Sequence, residues 1–236
     1  VKSEKKDFWS SYLDDYDLIV QNSPSYNRMM SDIIEIIGEF RGDILKRRAS
    51  RLLDAGTGTG NFLDRFKSLF PYVEVWGIDN QAEIISYLEK KFFGRRVHLQ
   101  NIDLDSSTPF KKNYFSIVVC LSVIWDVQSP EMLLREFNRI LKRKEGLLIL
   151  TYPRKGSNRL KIFFSDLRHG LLNKMIRNPR IISSFLVNIK RRYFSLRLRY
   201  FFQNDIRCLL EKTNFHIIDC RLTYSDQFEL IIARAE

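Results

Sequence analysis

Residues 51 to 62, Arg-Leu-Leu-Asp-Ala-Gly-Thr-Gly-Thr-Gly-Asn-Phe, set three alternate glycines, Gly56, Gly58 and Gly60, behind an acid, Asp54, and an apolar run. Glycine at this spacing lets a chain turn tightly and lets its backbone approach a ligand that any Cβ would obstruct. A second apolar run, Val73 to Ile78, ends in Asp79, nineteen positions after Gly60. A carboxylate at that place can accept hydrogen bonds from both hydroxyls of a ribose. The pattern G-x-G-x-G differs from the dinucleotide fingerprint G-x-G-x-x-G, which disfavours NAD. No Lys-Ser or Lys-Thr pair follows Gly60, which disfavours a phosphate-cradling P-loop. Together these residues point to a nucleotide-like cofactor of another kind.

Such residues must be held by alternating strands and helices. Leu52 and Leu53 read as a buried strand that runs into the glycine turn and a helix. Met30, Ile33, Ile34, Ile37, Phe40 and Ile44 recur at helical spacing ahead of it. Ser129 is placed to cap a helix with Pro130 at its first position and Leu133, Phe137, Ile140 and Leu141 as its apolar stripe. Towards the end, a helix starting at Gln203 or Asn204 carries Ile206, Leu209 and Leu210. Phe215 to Leu222 and Phe228 to Ala233 then read as a hairpin of two strands.

In this order the motifs resemble the class I S-adenosylmethionine-dependent methyltransferases, and most closely the subgroup that includes quinone-biosynthesis methyltransferases. Asn101-Ile-Asp-Leu-Asp-Ser-Ser-Thr-Pro-Phe110 is similar to the family's acidic loop after the third strand. Residues 114 to 127 are similar to its fourth strand and the loop beneath the methionine moiety. Residues 129 to 151 are similar to its following helix, turn and fifth strand. The family's Pro-Gly-Gly turn is here Arg143-Lys144-Glu145-Gly146, and Trp125-Asp126 stand where His-His is frequent. The resemblance covers roughly residues 50 to 152 and 200 to 236.

It implies an α/β Rossmann-like three-layer sandwich with a mainly parallel seven-stranded sheet and one antiparallel strand, plus a helical basic insert. It also implies S-adenosyl-L-methionine as cofactor and S-adenosyl-L-homocysteine as its product. Asp54 would orient the methionine end, with Gly56, Thr57, Gly58 and Gly60 approaching methionine and ribose. Asp79 would hold the ribose, Asn80 and Gln81 would border the adenine, and Asp103 with Leu104 would read its edge, Asp105 being a competing alignment for Asp103. Leu121 and Ser122 would form the floor, and Tyr16, with Tyr12, lies in a segment expected to close over the cofactor. Trp125, Asp126, Tyr152 and His169 are the candidates for acceptor contact. No side chain is identified as a catalytic base, and no metal ligands are expected.

The chain has 236 residues, 44% hydrophobic, and a net charge of +11. That charge is concentrated: residues 153 to 199 hold thirteen Lys or Arg against one acid, Asp166. Within this stretch Leu160, Phe163, Phe164, Leu167 and Leu171 suggest an apolar helical stripe flanked by cations, broken at Asn178-Pro179. A second helix would carry Ile181, Ile182, Phe185 and Ile189, ending in Lys190, Arg191 and Arg192. The chain therefore divides into an N-terminal helical cap (1–48), a core (49–152 and 200–236) and a basic amphipathic insert (153–199).

No apolar run approaches the ~20 residues of a spanning helix, and Lys2, Glu4, Lys5, Lys6 and Asp7 leave no room for a signal segment before residue 10. Cys120, Cys208 and Cys220 lack metal spacing and read as reduced, buried thiols, which suits a cytoplasmic protein. The acceptor is expected to be small or lipid-like, with the insert acting as a lid, holding an acidic substrate, or resting peripherally on an anionic membrane. A nucleic-acid acceptor, with the arginines on phosphates, and a cofactor-binding protein without catalysis are the alternatives.

Overall fold

The computed structural model describes residues 13–45, 50–186 and 203–236. Two helices come first, α1 (Leu13–Asn22) and α2 (Pro24–Leu45). They are followed by β1 (Arg51–Ala55), α3 (Asn61–Leu69), β2 (Glu74–Asp79), α4 (Ala82–Lys91), β3 (Val97–Asn101) and β4 (Ile117–Leu121). Next come α5 (Pro130–Ile140), β5 (Leu147–Pro153), α6 (Arg159–Asp166), a π-type turn (Leu167–Leu171) and α7 (Leu172–Arg177). The chain closes with α8 (Gln203–Lys212), β6 (Phe215–Thr223) and β7 (Phe228–Ala235).

One seven-stranded sheet runs β3-β2-β1-β4-β5-β7-β6, parallel except for β7, which pairs antiparallel with both β5 and β6. Every strand through the middle is apolar on both faces, as a sheet covered on two sides requires. Adjacent residues separate cleanly: Leu52, Val119 and Ile149 enter the core beneath α2, α3 and α4, while Leu53, Val118 and Leu148 enter the core beneath α5 and α8. Burying each such side chain contributes about 1.5–3 kcal/mol. These two cores make the three layers expected from the sequence.

Because β1 and β4 are neighbours, the strand order reverses between them, and their carboxyl ends splay the following loops apart. Ligands bind open α/β sheets in that crevice. Ser129 Oγ accepts from Met132 N at 3.3 Å, with Pro130 in the first turn of α5, as expected. The Arg143–Gly146 turn sits at the opposite, amino end of β5. There Lys144 has a φ of +62° and a Cβ on Gly146 would meet Lys142 O at 2.6 Å.

Two expectations are corrected here. Only Cys120 is fully buried; Cys208 is exposed on α8 and Cys220 is half-buried on β6. These two positions lie in amphipathic elements, where one residue in two or three faces water. The insert's stripe is also partly rotated: Phe163, Leu167 and Leu171 pack inward as expected, but Leu160 and Phe164 are exposed, and Ile162 and Met175 are buried in addition. The cause is polar. Asp166, only 4% exposed, is anchored beneath the helix, and this puts Ile162, its i−4 neighbour, on the inner face. His169 and Gly170 (φ +101°) then interrupt the helix and shift its register. The break at Asn178-Pro179 is present, and Asn178 Oδ1 accepts from Arg180 N at 3.2 Å to start helical residues 180–186. Tyr12, Ile189, Lys190, Arg191 and Arg192 lie outside the described residues.

Candidate functional site

The glycine turn is fastened to β2, where the amides of Gly56 and Thr57 both donate to Ile78 O at 2.9 Å. All three glycines have left-handed φ, +78°, +53° and +72°. Their surroundings differ. A Cβ on Gly56 would lie 2.4 Å from Val123 Cγ2, and one on Gly60 would lie 2.7 Å from Leu88 Cδ2 and close to Phe92. A Cβ on Gly58 would meet nothing within 4 Å, because Gly58 opens onto a large cavity. Gly56 and Gly60 are therefore required by packing as well as by conformation. At Gly58 alone is the missing side chain space that a ligand can occupy.

Asp79 stands opposite. Its Oδ2 accepts from Gly58 N and its Oδ1 from Gln81 N, both at 3.1 Å. Burial pushes its carboxyl up to about 6, against the opposing pull of the Gly58, Gln81 and Asn80 amides. Asp54 lies behind, 2% exposed. Burial lifts its carboxyl to about 7, with Thr57 opposing and the charge of Asp79 adding to the rise. Gly56, Gly58, Asp79 and Asn80 border the cavity, whereas Asp54, Thr57, Gly60 and Gln81 do not. Those four shape the turn from behind.

The third strand's loop brings Asp103, Leu104 and Asp105 to the same cavity. Asp103 Oδ1 accepts from Asp105 N at 3.0 Å, and Asp105 Oδ1 accepts from Gln128 N at 2.6 Å. Asp105 thus braces the loop between β4 and α5. Leu121, the last residue of β4, and Ser122, which follows it, lie on the cavity floor, where the Ser122 amide (φ +59°) is pinned by donating to Thr151 O and Oγ1 at 3.1 and 3.0 Å. Trp125, Asp126 and Tyr16 also border the cavity. The buried indole N–H of Trp125 has no hydrogen-bond partner among the described residues, a condition that costs about 1–3 kcal/mol until an acceptor reaches it.

Tyr152 and His169 are not brought to this cavity. Tyr152 is fully buried in β5 and donates to Glu229 Oε2 at 2.8 Å, while its neighbour Pro153 borders the space. His169 lies exposed on the π-type turn, beside a separate recess.

Sequence reasoning did not anticipate the far end of the cavity, which measures about 760 Å³ in all. Ile162, Phe163, Leu171, Ile181 and Phe185 of the insert roof it, with Phe163 stacked on Phe185 at 4.5 Å between centroids. Ile19, Val20, Tyr26 and Met29 of α1 and α2 form one wall, and Tyr224 and Phe228 of the hairpin form another. Burial raises the Tyr26 hydroxyl well above its ordinary range, with Tyr16 and Tyr224 nearby adding to the rise. A signal was available in the Ser23-Pro24-Ser25 break between two amphipathic helices, but its partner lies 141 residues away.

That partner is Asp166. Its Oδ2 accepts from Ser23 Oγ at 2.6 Å, and its Oδ1 from Ser25 N at 2.8 Å and Ser25 Oγ at 2.5 Å. Ser25 Oγ is 2.6 Å from Ser225 Oγ, which donates to Ser165 Oγ at 2.9 Å. Ser225 is held in a turn where Tyr224, Ser225 and Asp226 all have left-handed φ, +52° to +60°, a conformation costing roughly 1–2 kcal/mol per non-glycine residue. Lys174 Nζ to Asn22 O (3.1 Å) and Ser184 Oγ to Asp15 Oδ1 (2.6 Å) complete the fastening of insert to α1. The insert is latched by polar contacts at its edges and is apolar where it faces the cavity.

The comparisons with known proteins agree with this architecture. Residues 53–150 match the family of the methyltransferase domain. The chain is 27% identical over 107 residues to a demethylmenaquinone methyltransferase of Thermotoga maritima, a match covering 45% of each protein. It is 26% identical over 152 residues to a malonyl-[acyl-carrier protein] O-methyltransferase of Legionella pneumophila, covering 64% of this chain and 50% of the other. The matches thus span about half the length of these curated relatives. Among solved structures, magnesium protoporphyrin IX methyltransferase of Synechocystis PCC 6803, with bound S-adenosylhomocysteine, superposes over 100% of both chains with a TM-score of 0.70 and 15% identity. A methyltransferase of Aquifex aeolicus superposes over 94% of this chain and 98% of its own, with a TM-score of 0.63 and 15% identity. Fold, switch-point cavity and family match together define a Rossmann-like methyltransferase domain. Over the matched residues, 53–150, the chain carries a methyltransferase domain of the class I S-adenosylmethionine-dependent kind.

Proposed function

We propose that the protein transfers a methyl group from S-adenosylmethionine to a small or lipid-like acceptor enclosed beneath the basic insert. The observation that carries this reading is the single cavity that begins at Gly58 and Asp79 and ends under Phe163 and Phe185. Gly58 leaves space where any other residue would place a Cβ, and Asp79 offers a buried carboxylate with acceptor capacity beyond its two amide bonds. Those features fit a nucleoside. Bound there, S-adenosylmethionine supplies an activated methyl group on a sulfonium.

In this reading Asp79 holds the ribose, Asn80 and the Asp103–Leu104 segment border the adenine, and Leu121 and Ser122 support the methionine end. Asp54, Thr57, Gly60 and Gln81 set the turn and the acidity of Asp79 from behind. Tyr16 closes the entrance from α1. The roof and walls exclude water and align the acceptor, and alignment in a dry site supplies most of the acceleration for such a displacement. Trp125 Nε1 is a polar group placed to orient the acceptor, and Asp126 borders the same space. The division into cap, core and insert is then functional: 13–45 and 153–186 contain the acceptor chamber, and the core contains the cofactor site.

Calorimetry tests the cofactor half. S-adenosylhomocysteine is expected to bind, and Asp79→Ala to weaken it roughly tenfold to a hundredfold, the equivalent of one or two charge-assisted hydrogen bonds. Affinity should also fall as pH drops through about 6, where Asp79 takes up a proton. Absence of heat with this ligand, together with tight NAD binding, overturns the assignment. For the acceptor half, isotope-labelled S-adenosylmethionine is incubated with cell extract. Label recovered in organic-extractable small molecules supports the reading; label confined to RNA replaces it with the nucleic-acid alternative.

A second reading concerns location. The outer face of the insert exposes Phe164, Leu172, Ile176 and Leu186 beside Arg168 and Arg177. No helix among the described residues is long and apolar enough to cross a membrane. An amphipathic cationic face of this kind suits peripheral contact with an anionic bilayer, with the acceptor entering from the lipid.

A further inference from the structure

A second recess, about 780 Å³, lies against the first and shares two wall residues with it, Gly156 and Tyr224. Its chemistry is the opposite of the chamber's. Arg28, Arg154, Lys155 and Lys161 converge on it from α2, the β5–α6 loop and α6, against only two acids, Asp32 and Asp226. Ser165, His169 and Ser225 add hydroxyl and imidazole donors. Among the described residues neither Arg154 nor Lys161 has a carboxylate partner. Bringing four cations to one concavity raises their mutual repulsion, and an anion in the middle reverses that term. Gly156 (φ +79°) forms the seam between the two spaces, with nothing within 4 Å of where its Cβ would stand.

We infer that this recess binds the phosphate or carboxylate of an amphipathic acceptor whose apolar body lies in the chamber, with the Gly156–Tyr224 seam joining the two. The inference rests on the proposed enclosure of the acceptor beneath the insert and narrows its substrate class to apolar molecules carrying an anionic end. The latch supports this arrangement. Ser165 and Ser225, which line the recess, are also the outer links of the chain that begins at Asp166 in the chamber. An anion drawn to those hydroxyls would tighten the contacts that hold the lid down.

The test uses decyl phosphate, decanol and inorganic phosphate as probes on the full chain, below the concentration at which decyl phosphate aggregates, with S-adenosylhomocysteine affinity measured in parallel. Decyl phosphate is expected to bind at least about tenfold more tightly than either decanol or phosphate, since it alone uses both spaces. Arg154→Ala with Lys161→Ala should remove that advantage while leaving decanol affinity, S-adenosylhomocysteine affinity and melting temperature unchanged. Equal binding of decyl phosphate and decanol, or an advantage that survives the double variant, overturns the inference. Vesicles containing phosphatidylglycerol separate the two sources of anion. If the double variant reduces vesicle capture but not binding of soluble decyl phosphate, the cations serve the bilayer and the recess is not an acceptor site. Loss of S-adenosylhomocysteine binding in the wild type would sink the methyltransferase reading while leaving the probe result standing.

Discussion

The carboxyl edge of the sheet and the basic insert both enclose the same cavity, but they are built on different principles. At the edge, position is set by backbone: the Gly56 and Thr57 amides on Ile78 O, the Gly58 and Gln81 amides on Asp79, and the Ser122 amide on Thr151. The insert is set by side chains, through one buried carboxylate, a run of serines and an apolar underside. Backbone geometry anchored in a parallel sheet has little freedom to change. An insert held by side chains can open by breaking a few contacts, which suits the proposed role of that half of the cavity in admitting and releasing an acceptor.

This contrast can be broken at several points. The largest expected effect lies in the buried acids of the edge. Asp54 has its folded-state carboxyl raised to about 7, so the folded protein holds a proton that the unfolded chain has released above about pH 4. Stability of the ligand-free protein therefore declines as pH rises from about 4 to about 7, by up to roughly 4 kcal/mol. Asp79, raised to about 6, adds to the decline over the same range, so thermal melts of Asp54→Asn should lose roughly half of the total slope; an unchanged slope would place the cost elsewhere.

Next in size is Gly58→Val. Its side chain would project into the open cavity while its backbone must stay at φ +53°, so S-adenosylhomocysteine binding should fall more than about a hundredfold while the circular dichroism spectrum is retained. Gly60→Val should do the reverse, unfolding the protein through its clash with Leu88 and Phe92. If both variants behaved alike, the separation of ligand-facing from packing glycines would be mistaken.

A smaller effect distinguishes edge from lid. Asp166→Ala removes the centre of the latch, leaves Ser23 and Ser25 short of partners, and should destabilise the insert by about 2 kcal/mol. The expected kinetic signature is a roughly tenfold rise in KM for the acceptor, with S-adenosylhomocysteine affinity within about twofold of wild type. Equal losses on both sides would show that lid and edge are one unit.

The smallest effect separates the two faces of the insert. Phe163 lines the chamber and Phe164, its neighbour, is exposed. Phe163→Ala should lower acceptor turnover and leave vesicle binding intact, whereas Phe164→Ser should lower binding to anionic vesicles a few-fold and spare turnover. Vesicle binding indifferent to Phe164 would leave the outer face without a membrane role.

Much of the edge was legible in the sequence, because local rules fix it. Gly56, Gly58 and Gly60 announce a turn by conformation, Asp79 falls at the end of the next strand, and Ser129-Pro130 starts a helix by capping chemistry. The seven-stranded sheet with its antiparallel β7 was implied by the family resemblance that these motifs carry, and the closing hairpin at residues 215–233 suited it. What sequence could not show is which of these residues a ligand meets. Asp54 and Gly60 share a motif with Gly58, yet one sits behind the turn and the other beneath Leu88 and Phe92, a distinction that depends on side chains arriving from β2's following helix. Tyr152 continues the β5 strand beside cavity-lining Pro153, but it is paired with Glu229 from an antiparallel strand 77 residues later.

The insert was the least legible for the same reason. Its composition identified a basic amphipathic region, and its apolar spacing suggested one face that is in fact exposed at Leu160 and Phe164. The rotation of α6 was decided by Asp166 reaching Ser23 and Ser25, a contact between segments 141 residues apart. Periodicity measures which positions share a face of a helix. Only the partner across the interface determines which face turns inward, and here a single buried charge, too costly to leave unpaired, outweighed two exposed hydrophobic side chains.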